Sequence, residues 1–206
     1  MLDKYLLPVA QSILQPIAKQ CVKHNVSANQ ITVVGFVIGI LSVGFIVSQL
    51  YLLGLVCIVL NRIADGLDGQ VARLTKPTQS GAFLDIVLDF IFYQAVVFGF
   101  AFSNPEFTFW GVCLMLSFVG TGTSFLAFSI FAQKNNIEKI DYPSKGIYYL
   151  TGIAEGTETI VFFVLCCIWP MYFNWFAAIF CLICWQTTVF RIVFGVKQLN
   201  AIDTIK

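Results

Sequence analysis

DGLDGQVARLTKPTQSGAFLDIVLD, residues 65–89, is the stretch that decides how this chain folds. Asp65 and Asp68 stand three apart, and Asp85 and Asp89 four apart. In a helix those spacings put each pair on one face. The flanks are almost wholly apolar: LYLLGLVCIVL (50–60) runs up to Asn61, and FIFYQAVVFGFAF (90–102) follows Asp89. Four carboxylates at the ends of hydrophobic segments are costly to bury as anions. A divalent cation offsets that cost, because hard cations take oxygen ligands. Gly69, Arg73 and Gly81 lie between the pairs. Glycine lets a ligand come close to the backbone, and arginine holds a phosphate through two parallel hydrogen bonds. Together these residues describe a metal-and-phosphate site set in a membrane.

The whole chain agrees with a membrane setting. Its 206 residues are 58% hydrophobic and 11% charged, with a mean hydropathy of +0.84; soluble domains carry about 25% charged residues. So much apolar surface needs lipid as its solvent. The net charge of +1 says little about partners, and no nucleic acid is expected among them. The first residues, MLDKYLLPVAQSILQPIAKQ, lack the basic start, apolar core and cleavage site of a signal peptide. Six of the seven cysteines fall in hydrophobic runs. Cys181 and Cys184 form a CxxC without a second ligand pair, which reads as apolar packing.

Working outward, the expected fold is all-α and integral to the membrane, with six spans and an amphipathic helix at the N-terminus. Residues 1–30 form the interfacial segment, in which apolar clusters alternate with Lys4, Gln11, Gln15, Lys19, Gln20 and Lys23. The catalytic domain covers 31–198 and a cytoplasmic tail 199–206. The spans are expected at about 31–49, 50–74, 81–103, 107–133, 146–169 and 172–196. Ser27 is read as the cap of the first and Ser80 as the cap of the third. Gly35 and Gly39 form a GxxxG suited to close helix contact, and Gly120 to Ser124 form a second small-residue face. The twelve basic residues avoid the loops after spans one, three and five. The positive-inside rule then puts both termini and the aspartate cluster on the cytoplasmic side.

The residues alone leave three readings of the chemistry. Two metals sharing the acidic cluster can orient a diphosphate and neutralise its leaving oxygen. An edge carboxylate can then take a proton from an attacking hydroxyl, while Arg73 stabilises phosphate charge. A cation-coupled transporter also uses intramembrane acids, but usually near the midplane. An intramembrane prenyltransferase typically needs a second acidic motif, and this chain has one compact block.

Asp65-Gly-Leu-Asp68-Gly69-Gln-Val-Ala72-Arg73, followed by Gly81, Asp85 and Asp89, resembles the signature of the CDP-alcohol phosphotransferases at all eight fixed positions. The resemblance implies transfer of a phosphatidyl group from a CDP-linked donor, usually CDP-diacylglycerol, to an alcohol, with release of CMP. It implies that Asp65, Asp68, Asp85 and Asp89 ligate a pair of Mg2+ or Mn2+ ions, with Asp89 also the base. Gly69, Ala72, Arg73 and Gly81 would border the CDP group. Family members often carry Pro-Asn-x-x-Thr before the first span; here Ala28-Asn29-Gln30-Ile31-Thr32 lacks the proline but keeps Asn29 and Thr32 as candidates. A homodimer in the lipid bilayer is also implied.

For the acceptor alcohol the candidates are Lys134, Glu155, Glu158 and Arg191. Lys134, with Lys139 and Lys145, suits a phosphorylated acceptor. The two glutamates suit a cationic or polyhydroxylated one, or pair with Arg191 structurally. Phe90, Phe92 and Tyr93 either line a lateral opening or, as the ordinary expectation has it, face lipid.

Overall fold

The computed structural model describes residues 3–135 and 152–204, with side chains from residue 12 onward. Among these residues there are seven α-helices and no strand. In order they are α1 (Asp3–Lys23), α2 (Ala28–Val47), α3 (Tyr51–Leu74), α4 (Gln79–Ser103), α5 (Thr108–Lys134), α6 (Gly156–Ile168) and α7 (Phe173–Asp203). Single 3-10 turns, Pro105–Phe107 and Pro170–Tyr172, lead into α5 and α7.

Four segments are long and apolar enough to cross a bilayer: Ala28–Val47, Gln79–Ser103, Pro105–Lys134 and Pro170–Asp203. The other two expected spans differ for separate reasons. α3 has the length, but Arg62, Asp65, Asp68 and Arg73 crowd its second half. α6 has only 13 residues, and the first part of its expected span lies outside the described residues. Glu155, expected inside a helix, is instead the extended N-cap of α6, with φ −123° and ψ −173°. α7 holds that approach in place: Thr187 Oγ1 accepts from the backbone N–H groups of Ile153 (3.1 Å) and Ala154 (3.0 Å).

The helix ends show why the chain turns where it does. Ser27 caps α2 as expected, completing a capping box with Gln30. The cap of α4 is Thr78 rather than Ser80: Thr78 Oγ1 accepts from the Gly81 N–H at 3.0 Å. Ser80 comes two residues too late, inside the first turn, and donates its hydroxyl to Thr78.

α2 is the axis of the N-terminal half. It packs along both α3 and α4, while the backbones of α3 and α4 stay apart and the two helices meet through side chains. Its glycines make this approach close. A Cβ at Gly35 would lie 2.5 Å from that of Ala64, and one at Gly39 would lie 2.9 Å from Asn61 Nδ2. Gly122 likewise faces Phe90 and Gly120 faces Thr188. Both small-residue faces are therefore occupied within the chain. Ala18, Ile31 and Val71 bind α1 to α2 and α3 in a small apolar cluster.

The main core joins the two halves: Phe92 and Phe100 of α4 are fully buried together with Phe163 and Phe173. Phe92 packs edge-on to Phe163, and Phe100 stacks on Phe173. Phe90, Phe92 and Tyr93 thus turn inward rather than to lipid: Phe92 enters this core, and Phe90 and Tyr93 line a cavity. Cys166, Cys167, Cys181 and Cys184 are buried as free thiols, in keeping with apolar packing. Large apolar side chains such as Val34, Leu41, Phe109, Leu116, Trp175 and Leu182 are exposed on the outer faces. A bilayer is the solvent such faces require.

Candidate active site

The second half of α3 and the first turns of α4 converge on one end of α2. One carboxylate oxygen each from Asp65, Asp68 and Asp85 lie within 4.8 Å of one another. Asp68 is the most enclosed, at 6% exposure. Thr32, from the first turns of α2, donates its hydroxyl to Asp68 Oδ2 at 2.6 Å. Three helices therefore fix the trio: α3 gives two carboxylates, α4 one, and α2 the hydroxyl that orients the buried one.

Asp89, expected among the ligands, stands one turn further along α4 and outside the trio. Its Oδ1 accepts from Arg62 Nη2 at 2.7 Å. The sequence reading did not single out Arg62. Its side chain is 17% exposed and held on several sides. Nη1 donates to the Tyr93 hydroxyl at 3.0 Å and stands 3.6 Å from Asp65 Oδ2. Nε and Nη2 donate to Asn61 Oδ1 at 2.9 and 2.6 Å. Asn61 in turn donates to the Gly35 carbonyl at 2.9 Å. The guanidinium lies 4.8 Å from the Phe92 ring centroid, a cation–π distance. The i,i+3 spacing to Asp65 was visible in the sequence; the partner 27 residues away was not.

The expected nucleotide residues fall in two groups. Asn29, Thr32 and Gly81 meet where α2 and α4 begin. A Cβ on Gly81 would lie 2.8 Å from Asn29 Oδ1 and 2.9 Å from Thr78 Oγ1, so a side chain there would require Asn29 or the Thr78 cap to shift. Gly69, Ala72 and Arg73 continue along α3 beyond the trio. The Arg73 guanidinium is exposed and packs over Gly69, where a Cβ would stand 3.4 Å from Nη1.

Two cavities meet at Asp85 and Asp89. A narrow one of about 10 Å³ lies among Thr32, Asn61, Arg62 and the four aspartates. A larger one of about 270 Å³ opens between α4, α5, α6 and α7. Phe90, Tyr93, Phe118 and Phe125 line the larger cavity, together with Glu155, Arg191 and Gln94. Arg191, 6% exposed, donates Nη1 to the Thr121 carbonyl at 3.0 Å. Glu155 Oε1 accepts from the Gly152 N–H at 3.2 Å. Gln94 presents a buried Oε1 with no hydrogen-bond partner among the described residues; it was not anticipated. Two acceptor candidates do not line this cavity: Glu158 sits in the first turn of α6, and Lys134 is exposed at the end of α5. Lys139 and Lys145 lie outside the described residues.

A comparison with protein families gives a match to CDP-alcohol phosphatidyltransferase over residues 25–192. The chain belongs to the CDP-alcohol phosphatidyltransferase family. It is similar to the inner membrane protein YnjF of Escherichia coli (strain K12), with 45% identity over 204 residues, 98% of this chain and 99% of that one. It is also similar to the archaetidylinositol phosphate synthase of Pyrococcus horikoshii, 31% identical over 105 residues, covering 50% of this chain and 55% of that protein. The fold resembles that of Mycobacterium tuberculosis phosphatidylinositol phosphate synthase (PgsA1), solved with CDP-DAG bound. The TM-score is 0.68 at 18% identity, covering 89% of this chain and 94% of the other. With its four apolar helices and an inner-membrane relative, this family member is an integral membrane protein.

Proposed function

We propose that this CDP-alcohol phosphatidyltransferase moves a phosphatidyl group from CDP-diacylglycerol to an alcohol and releases CMP, a step of phospholipid biosynthesis. One observation carries the reading. The carboxylate trio and Asp89 occupy the junction of a narrow polar cleft and a roomier cavity, so a donor phosphate on one side can meet a hydroxyl on the other. The CDP-DAG bound by the M. tuberculosis synthase, which shares the fold, supports the choice of donor.

The residues fit a divalent metal. Three carboxylate oxygens within 4.8 Å make a hard-oxygen set, and Asp68 is too enclosed to stay anionic cheaply without a counter-charge. Asp65, Asp68 and Asp85 would hold Mg2+ or Mn2+, which when bound neutralises phosphate charge and favours departure of the nucleotide. Asn29, Thr32, Gly69, Ala72, Arg73 and Gly81 border the CDP group, with the exposed guanidinium of Arg73 free to swing onto phosphate oxygens. Asp89 takes the proton from the acceptor hydroxyl. The hydroxyl oxygen bonds to the β-phosphorus, the bond from that phosphorus to the CMP oxygen breaks, and CMP leaves with the electron pair.

The acceptor enters the larger cavity, where Arg191 offers donors and Glu155 and Gln94 offer acceptors. That mixture suits a polyhydroxylated alcohol. Lys134 and Glu158 stand outside its wall and take a lesser part. The same reading counts α3 and the α6 region as spans, making six, with α1 lying along the membrane surface. Both termini and the aspartates then face the cytoplasm, where a water-soluble acceptor arrives.

The test uses purified protein in lipid nanodiscs with labelled CDP-diacylglycerol, Mg2+ or Mn2+, and a panel of alcohols. Metal-dependent CMP release and a new lipid identified by mass spectrometry support the proposal. Metal binding with ion flux and no CMP would favour a transporter.

A further inference from the structure

Gln94 stands just over one turn beyond Asp89 on the face of α4 that lines the larger cavity. Its amide is half satisfied. Nε2 donates to the Met115 carbonyl of α5 at 3.5 Å, whereas Oε1 is buried with no hydrogen-bond partner among the described residues. The Met115 carbonyl also decides which end of the amide is which, because turning the group over would set two acceptors against each other. A buried carbonyl oxygen without a donor costs stability, and few occur in folded proteins without a purpose. What satisfies it is a hydroxyl or N–H brought by a molecule in the cavity. A phosphate oxygen, itself an acceptor, does not.

The charge of the wall bears on the rest of that molecule. A phosphate monoester carries about −1.5 to −2 charges at pH 7, and proteins hold it with several arginines or lysines. Among the described lining residues Arg191 is the one cation, and it is already engaged. Nη1 donates to the Thr121 carbonyl at 3.0 Å. The guanidinium lies 5.5 Å from the Phe125 ring centroid, and a Cβ on Gly152 would stand 3.1 Å from Nη2. Glu155, 5% exposed, adds a carboxylate to the same wall, and Lys134 stands outside it. Rings of Phe90, Phe118 and Phe125 surround these groups. An anion without full compensation is costly among them.

We propose that the acceptor is an uncharged polyol rather than a phosphate ester, and that Gln94 is a specificity-determining residue that accepts a hydrogen bond from one of its non-reacting hydroxyls. The polyol assignment rests on the transferase reading above and narrows the class of alcohol within it.

The experiment measures CMP release by the full-length protein in nanodiscs with CDP-diacylglycerol and Mn2+. The acceptors are glycerol and inositol, the phosphate ester and deoxy analogues of each, and ethanolamine. For the better polyol, kcat/KM should exceed that of its phosphate ester about a hundredfold or more, and that of its best deoxy analogue about tenfold. Gln94→Met, close in shape but without the oxygen, should raise the KM for the polyol about tenfold and erase the preference over the deoxy analogue. The KM for CDP-diacylglycerol should stay unchanged. Gln94→Glu, which keeps an acceptor oxygen, should retain part of the preference. A merely structural glutamine predicts that the preference survives in Gln94→Met, and that result overturns the proposal. So does a wild type that prefers a phosphate ester or ethanolamine. If Gln94→Met does not fold, the wild-type comparison of polyol with ester decides alone. If the wild type releases no CMP with any acceptor, the transferase reading fails. Saturation-transfer NMR then tests the site itself: transfer to the polyols that weakens in Gln94→Met sustains the role of Gln94, and no transfer overturns it.

Discussion

On the α2–α3–α4 side of Asp85 and Asp89, polar groups close on one another around a space of about 10 Å³. On the α4–α7 side a cavity of about 270 Å³ is lined largely by aromatic rings and keeps a buried Gln94 oxygen without a partner among the described residues. Thr32 bonds to Asp68, Asn61 to the Gly35 carbonyl, and Arg62 to Asp89 and Tyr93. The difference matches what the proposed function asks of each side. Oxygens that hold a cation must be fixed beforehand, because reorganising them on binding costs affinity. A pocket that admits and releases an alcohol needs room, with a few polar groups to orient it.

If that contrast is right, the largest loss comes from Asp85, the member of the carboxylate trio that borders both sides. Asp85→Asn should lower CMP release by roughly a thousandfold or more, because it removes a ligand and alters the wall between the cavities. A loss below about tenfold, measured with saturating Mn2+, would break the picture of a shared junction.

The polar side was largely legible in the sequence, and the open side was not. Helical spacing is local, so Asp65, Asp68, Asp85 and Asp89 could be set on their faces from residue numbers alone. Gly35 and Gly39 marked a face of α2 suited to close contact, but not the helices that fill it. Arg62 escaped notice because its main partner lies on α4, and the register of two separate helices cannot be read from either one. Phe90, Phe92 and Tyr93 were read toward lipid because an apolar helix carries no signal that separates lipid from a protein neighbour. The non-helical approach to α6 depends on Thr187, more than 30 residues away, which accepts two backbone N–H groups.

Arg191→Met sharpens the comparison next. It removes a buried guanidinium from the larger cavity alone and leaves the Thr121 carbonyl without that donor. The acceptor KM should rise about tenfold or more, with the KM for CDP-diacylglycerol unchanged. A parallel rise in both KM values would mean that the two cavities do not sort donor from acceptor.

Stability gives a third contrast. Gly39→Val drives new atoms into Asn61 and Phe92, and should cost about 1–3 kcal/mol as overpacking does. Gly44→Val on the same helix meets nothing within 4 Å and should be close to neutral. Reversible unfolding in mixed detergent micelles measures both. Equal losses would show that the polar side is not as closely fitted as its geometry indicates.

The smallest effect belongs to Gly122→Ala, and it separates fit from stability. A Cβ there would stand 2.5 Å from Phe90 Cε1, the far edge of a ring that lines the larger cavity. The ring can swing into open space, so unfolding should change by no more than about 0.5 kcal/mol. The swing narrows the route an alcohol takes, so the acceptor KM should rise about threefold while donor KM and Mn2+ affinity stay fixed. The same substitution in a closed polar cleft would strain its neighbours instead. A Gly122→Ala protein that loses stability but keeps its acceptor KM would show that Phe90 is packed core, and that the cavity beside it is not the room the acceptor uses.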